Sequence, residues 1–402
     1  MLHVIDTLDP AAGGPQAVVA RLAAAQSSLG HTVRILSYDR PEAAERTART
    51  LSAIPEFPSL RCYCVPRDGF RERLYAPEAR QQLASILPQV DVVHLHGVWE
   101  PLILASAREA FRQGVPYCLC PHGMLHPWSL QQKRLKKILA LRLGYRAMLD
   151  RAAFLHVLNE GEMGILSRLG LKAPTAVLPN GVFMEEIDPL PPRGRFRLRH
   201  PALEDDPFIL FLGRLHRKKG LDVLIEAFSR LAAVHPTVRL VVAGPDDGAQ
   251  AAVEIAARAS GCGQRVHLVG PVYGEEKWAA LSDASCFCLP SRQEGFSVAI
   301  LEALACGVPV VISEECHFPE VADHAAGQVV ALSAGAVHQA LFRVFSNPGK
   351  AHSMGANGRA LVLDRFLWPE IARCSADAYA TVFAPAPVET ASRAGLRAGV
   401  LG

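Results

Sequence analysis

Two glutamates interrupt an otherwise apolar stretch, RQEGFSVAILEALACGVPVV, at residues 292–311. Glu294 stands at its mouth, and Glu302 lies among Val298, Ala299, Ile300, Leu301, Ala303, Leu304 and Ala305. A helix opening near Phe296 or Ser297 offers unpaired backbone N–H groups and the positive end of its dipole, which together suit an anion. Gly295 lets backbone and ligand approach closely. Glu302 falls about five residues into that helix, roughly 7.5 Å along its axis. A phosphate at the helix start and a ribose at Glu302 would then belong to one nucleotide, with Glu294 facing whatever lies beyond the diphosphate. Upstream, GRLHRKKG supplies Arg214 and Lys219, a guanidinium fork and an ammonium able to bond phosphoryl oxygens. A solvated basic loop and a helix with one polar edge are the plain structural alternatives. The narrowness of the polar stripe around Glu302 argues against the second.

Those residues need a scaffold that gathers them. Strand-like runs alternate with helical ones along the chain: LHVIDTL, TVRIL, VDVVHLH, VPYCLCP, AAFLHVLN and TAVLP, then FILFLG, VRLVVAG, VHLVG, SCFCLP, VPVVI and GQVVAL. The second set is separated by helices expected at 220–234, 248–260 and 274–284. Such alternation predicts parallel sheets covered on both faces. At 402 residues, half of them hydrophobic, two domains are expected. The first spans 1–182 and the second 183–384. Residues 183–207 form a proline-rich connector, the terminal helix packs back on the first domain, and 385–402 form a flexible tail. Open parallel sheets bind ligands at the carboxyl ends of their strands. The loops at 213–220, 244–246, 270–273 and 290–295 should therefore share one cleft edge.

Composition narrows the function classes. A net charge of +3 gives no reason to expect nucleic acid. No apolar run approaches a membrane span and no signal-peptide pattern opens the chain, so a cytoplasmic protein is expected. Six of the ten cysteines form C-x-C pairs, at Cys62/Cys64, Cys118/Cys120 and Cys286/Cys288. Without a CxxC or histidine-rich partner they read as buried thiols of a reducing compartment, and no metal site or cofactor is expected. No GxGxxG follows the first strand, which argues against a dehydrogenase.

In combination, E-x7-E at Glu294/Glu302, R-x4-K at Arg214/Lys219, the Gly13-Gly14 loop and Pro179-Asn180-Gly181-Val182 resemble the family-4 (group 1) retaining glycosyltransferases. The match runs from about residue 2 to about residue 384. The resemblance implies a GT-B fold, with two Rossmann-like, doubly wound domains facing a cleft. It also implies metal-independent transfer of a hexose from a UDP- or GDP-sugar to a saccharide or lipid-linked acceptor. By the same resemblance Arg214 and Lys219 hold the diphosphate, Glu302 the ribose and Glu294 the donor sugar. Gly13, Gly14 and the backbone of Gly295, Phe296, Ser297 and Val298 contribute to the donor site. His122, in CPHGMLHPW, matches the family's histidine near the reacting sugar, and His126 and Trp128 are candidates for touching the acceptor. Asn159 departs from the family, where Ser or Thr commonly precedes the acidic pair Glu160/Glu162.

The stretch HPWSLQQKRLKKILALRLGYR resembles members that build exopolysaccharide, lipopolysaccharide or lipid-linked oligosaccharide. It reads as a basic helix with Leu135, Ile138 and Leu139 on the arc opposite Lys133, Lys136 and Lys137. The ordinary expectation is that its apolar arc packs on the sheet. Contact with anionic headgroups at the inner membrane face is the alternative. Two other functions compete with glycosyl transfer: a sugar-nucleotide epimerase of related fold, and a non-catalytic nucleotide-sugar-binding partner.

Overall fold

The computed structural model describes residues 1–38, 41–67 and 69–383; the tail expected at 385–402 lies outside them. The apolar runs become short parallel strands. In the first half these are β1 (Leu2–Ile5), β2 (Arg34–Tyr38), β3 (Arg61–Val65), β4 (Val93–His96), β5 (Tyr117–Cys120), β6 (Leu155–Val157) and β7 (Thr175–Val177). They form one sheet in the order β3-β2-β1-β4-β5-β6-β7. The second half contributes β8 (Phe208–Leu212), β9 (Arg239–Ala243), β10 (Val266–Gly270), β11 (Cys286–Leu289), β12 (Val310–Ser313) and β13 (Gly327–Val330). Their order is β10-β9-β8-β11-β12-β13. Strand order reverses beside β1 and beside β8, and those switch points open crevices at the carboxyl ends. The fold is the two-domain GT-B arrangement, each sheet Rossmann-like.

Strand β3 was not legible as a strand because most of its residues are exposed; it is the edge of its sheet and lacks a hydrophobic run. Cys62 and Cys64 on it are exposed, as is Cys374, so the expectation of uniformly buried thiols fails at these three. Cys118, Cys120, Cys286 and Cys288 are buried. The connector is more structured than its prolines suggest. Short helices form at Met184–Ile187 and Arg195–Arg199. Asp283 holds the second by accepting backbone N–H bonds from Gly194, Phe196 and Arg197.

The basic segment also departs from expectation. Left-handed Lys133 and Gly144 (φ 120°) break it into Pro127–Gln131, Arg134–Ala140, a π turn at Leu141–Tyr145, and Arg146–Asp150. Leu135, Leu139 and Leu143 do not pack on the sheet; they are 82%, 57% and 62% exposed.

Two chain crossings join the domains side by side. Val182 N–H donates to Phe366 O at 2.9 Å, and Trp368 N–H to Val182 O at 3.0 Å. Gly181 permits this crossing, since a Cβ there would lie 2.8 Å from Ile371 Cδ1 and 3.0 Å from Phe366 O. After the crossing, helix Trp368–Phe383 leaves the second domain and packs against helix Gly14–Ser28 of the first. Between the two domains, the segment before that last helix makes a single parallel bridge, Val182 to Leu367.

Candidate functional site

The carboxyl edges of the two sheets face each other across a cleft of about 680 Å³. All four second-domain loops picked from the sequence contribute to its wall, through Gly213, Gly244, Pro271 and Glu294 among others. Opposite them stand Gly13, Gly14, His96 and His122. Parallel connectivity put these residues on one edge, as the alternation predicts.

Within the cleft two second-domain lysines are paired with carboxylates. Lys219 Nζ lies 2.9 and 3.1 Å from the two oxygens of Glu294, and Ser291 Oγ donates to Glu294 Oε1 at 2.6 Å. Burial disfavours the Glu294 carboxylate, but Lys219, Lys218 and Ser291 outweigh it and hold its pKa below the usual range. The close approach depends on Gly220 (φ 71°), where a Cβ would fall 1.8 Å from Pro290 O. Only glycine lets the loop after β8 lie against the end of β11 and so bring Lys219 to Glu294.

A second pair joins Lys277 Nζ to Glu302 Oε1 at 2.5 Å. Lys277 rises from helix Gly274–Asp283, and sequence reasoning missed it: one lysine after two glutamates carries no signal until the fold aims it at Glu302. Arg214 also lines the cleft, but at the rim, where it bonds half-exposed Asp247 at 2.7 Å. Between the pairs, helix Val298–Ala305 begins with Ser297 as N-cap and no side-chain capping bond. Gly295, Phe296, Ser297 and Val298 all line the cleft there. Free first-turn N–H groups with ammonium groups to either side suit an anion.

The first domain approaches this helix start closely. His122 and Gly123 both take positive φ (50° and 72°), an uncommon conformation for a histidine. Glu162 stabilises the turn, accepting Gly123 N–H and Leu158 N–H at 2.9 Å each. Asn159 explains its departure from Ser or Thr. Its Oδ1 caps helix Glu160–Arg168 by accepting Glu162 N–H at 2.8 Å, while its amide donates across the cleft to Gly295 O at 2.5 Å. A hydroxyl could cap but is too short to do both. Asn180 makes a parallel bond to Phe296 O at 3.3 Å. His126 and Trp128 sit differently: His126 Nδ1 caps its own short helix by accepting Trp128 N–H, and the Trp128 ring lies beneath Lys218. Met124 and Ser129 of that loop reach the cleft wall.

Two further wall groups were not foreseen. Gln16 Oε1 and Glu100 Oε2 are buried without a hydrogen-bond partner, and burial raises the Glu100 pKa. Both are suited to receive hydroxyls.

Histidines cluster behind this wall. His3, His94 and His96 come close enough to share an ion, as do His96, Cys120 and His122. In the first group, however, every ring nitrogen already has a hydrogen-bond partner. In the second, burial pushes the Cys120 thiol well above its ordinary pKa, which disfavours the thiolate that a metal needs.

Known proteins match this architecture. Residues 13–181 fit the glycosyl transferase 4-like domain and residues 193–361 fit the glycosyl transferases group 1 model. A GDP-mannose-dependent phosphatidylinositol monomannoside mannosyltransferase of Mycolicibacterium smegmatis is 34% identical over 214 residues, 50% of this chain and 55% of the relative. The chain thus spans about half the length of that relative. A phosphatidyl-myo-inositol mannosyltransferase of Mycobacterium leprae is 25% identical over 92% of this chain and 93% of its own. Among solved structures, a sucrose-phosphate synthase of Thermosynechococcus elongatus superposes with TM-score 0.75 at 22% identity, covering 95% and 98% of the two chains. HepE of Anabaena, solved with UDP and glucose, also gives 0.75 at 16% identity, over 94% and 99%. With both domains matched in order and the cleft between them, the chain belongs to the group 1 glycosyltransferases of GT-B fold.

Proposed function

We propose that this protein transfers a hexose from a nucleotide diphosphate sugar to a saccharide or lipid-linked saccharide, with retention at the anomeric carbon and without a divalent metal. One observation carries the reading: two part-buried lysine–carboxylate pairs flank an uncapped helix start that faces His122. The diphosphate sits at the helix start, drawing on Lys219 and on Arg214 swung in from the rim. Its leaving charge is met by fixed dipoles and ammonium groups, a case of preorganised electrostatic stabilisation. Glu302, oriented by Lys277, takes the ribose hydroxyls. Glu294, neutralised by Lys219, holds sugar hydroxyls rather than attacking as a nucleophile. Gln16 and Glu100 receive acceptor hydroxyls on the opposite wall.

The relatives' names make GDP-mannose and phosphatidylinositol-type glycolipids the first substrates to try, alongside UDP-sugars and polysaccharide precursors. Incubation with donor and acceptor should yield product with the donor's anomeric configuration, read by NMR. A changed epimer from donor alone would indicate an epimerase, and binding with no turnover in any combination would indicate a non-catalytic partner.

A peripheral membrane contact is favoured by the row Leu135, Leu139 and Leu143. These exposed residues lie beside exposed Lys133, Arg134, Lys136 and Arg142. Apolar side chains turned outward amid basic ones suit an interface with anionic headgroups. Among the described residues no helix is long and apolar enough to cross a membrane.

A further inference from the structure

A single hydrogen-bonded chain runs from the cleft through the core of the first domain. His122 Nε2 lies 3.1 Å from His96 Nδ1, and His96 Nε2 lies 2.9 Å from His3 Nδ1. His3 Nε2 meets Gln26 Oε1 at 2.7 Å. The Gln26 amide donates to Ser375 Oγ at 2.8 Å and Tyr379 OH at 3.1 Å. Tyr379 OH lies 2.7 Å from His94 Nδ1, and His94 Nε2 lies 3.2 Å from His156 Nδ1. The chain ends at the Leu178 carbonyl, 2.6 Å from His156 Nε2. Apart from His122 at the cleft, its side chains are almost fully buried.

The far end dictates the direction of every proton. A carbonyl only accepts, so His156 carries its proton on Nε2 and accepts at Nδ1. His94 must then donate from Nε2 and accept at Nδ1, and Tyr379 must give its only proton to His94. The Ser375 hydroxyl is committed to Ala372 O at 2.7 Å. Both oxygens therefore need a donor from Gln26, which locks its amide toward them and its carbonyl toward His3. His3 then donates from Nε2, His96 donates from Nε2 to His3, and His122 donates from Nε2 to His96. Each ring is neutral in this scheme, in keeping with a core where burial lowers all five pKa values.

We propose that this polarised chain fixes His122 as its Nε2–H tautomer, so that Nδ1 presents a lone pair to the cleft and accepts a hydrogen bond from a hydroxyl of the transferred sugar. Gln26, His3, His96 and Tyr379 are positioning residues. The assignment of the sugar rests on the proposed function; the polarity of the chain does not. It also gives the last helix a role in the chemistry, because Ser375 and Tyr379 are what hold Gln26 in one orientation.

Selective ¹⁵N-histidine labelling with long-range ¹H–¹⁵N spectra reads the tautomer directly, His122 being assigned by its loss in His122→Gln. The wild type should show a single Nε2–H form. Gln26→Met, close in shape but unable to bond, should give a mixture of His122 tautomers. It should also lower kcat/KM for donor by about 3- to 10-fold, the scale of one neutral hydrogen bond, with nucleoside diphosphate affinity unchanged. Ser375→Ala combined with Tyr379→Phe, which removes both oxygens that fix the Gln26 amide, should shift the tautomer in the same sense and covers the case in which Gln26→Met fails to fold. An Nδ1–H form of His122 in the wild type overturns the proposal, as does a pure Nε2–H form persisting in the folded variants. A correct tautomer in a protein that transfers no sugar would refute the proposed function and leave the chain polarity standing.

Discussion

Mild acid should destabilise the first domain sharply. His3, His94, His96 and His156 are at most 2% exposed. Burial lowers the pKa of His3 and His156 to about 4, and holds His94 and His96 well below the ordinary value. In the unfolded chain each returns to about 6.5. Below that value the unfolded state binds more protons than the native one. The stabilisation is therefore complete above pH 6.5 and is lost as pH falls toward the native values. Between pH 6.5 and 5.5 each unfolded histidine carries on average about 0.7 proton that its native counterpart lacks, worth about 1 kcal/mol over that unit. Four such groups give about 4 kcal/mol, a large share of the roughly 5–15 kcal/mol that holds a domain folded. Urea unfolding at pH 7.5, 6.5 and 5.5, followed by hydrogen exchange in first-domain amides, measures the change. A urea midpoint that stays level from pH 6.5 to 5.5 would mean that the core histidines are charged or exposed in the native state, and the reasoning would be wrong.

The two glutamates should fail differently. Glu302→Gln should weaken binding of nucleoside diphosphate and donor alike, by about 1–3 kcal/mol for the lost charged hydrogen bonds. Lys277→Met should lose a similar amount, and the double variant little more, since the two act as one pair. Glu294→Gln should leave diphosphate affinity nearly unchanged and depress turnover; calorimetry and steady-state rates on the same preparations decide, and the reverse pattern would exchange the roles. Activity should survive EDTA; complete loss restored by magnesium or manganese would remove the metal-independent reading. Leu139→Ser with Leu143→Ser should reduce co-sedimentation with anionic vesicles while sparing turnover on a soluble acceptor, and unchanged sedimentation would end the membrane reading.

Much of this was readable from residue order because parallel connectivity is a strong constraint. Once strands and helices alternate, the loops carrying Arg214, Lys219 and Glu294 must meet at one edge, whatever the details of packing. Features set by side-chain direction were not readable. Lys277 comes from a helix whose rotation about its axis decides whether the ammonium meets Glu302 or solvent. The histidines were visible as letters in VHLH and LHV, but alternation in a strand says only that they share a face. Their chain needs Gln26 and Tyr379, which lie 353 residues apart. The basic segment misled because its spacing describes one helix, whereas positive φ at Lys133 and Gly144 divides it and turns its leucines outward.

The same contacts bear on how the candidate site is divided between the domains. Among the described residues, first-domain side chains bond the segment at the helix start through Asn159 and Asn180, to backbone carbonyls, each bond worth about 1 kcal/mol net. If donor binding and release open the cleft, the paired crossings of Val182 and Leu367 are where the domains would turn. Opening would carry Gly295 away from His122 and dismantle the proposed donor site. It need not disturb the tautomer of His122, because helix Trp368–Phe383 stays bound to the first domain through Ser375, Tyr379 and Gln26. The helix follows the crossing in sequence yet remains with the histidines in space. With the proposed tautomer, His122 would enter any such closure with its lone pair already aimed, and only the diphosphate and the sugar would have to be brought to it.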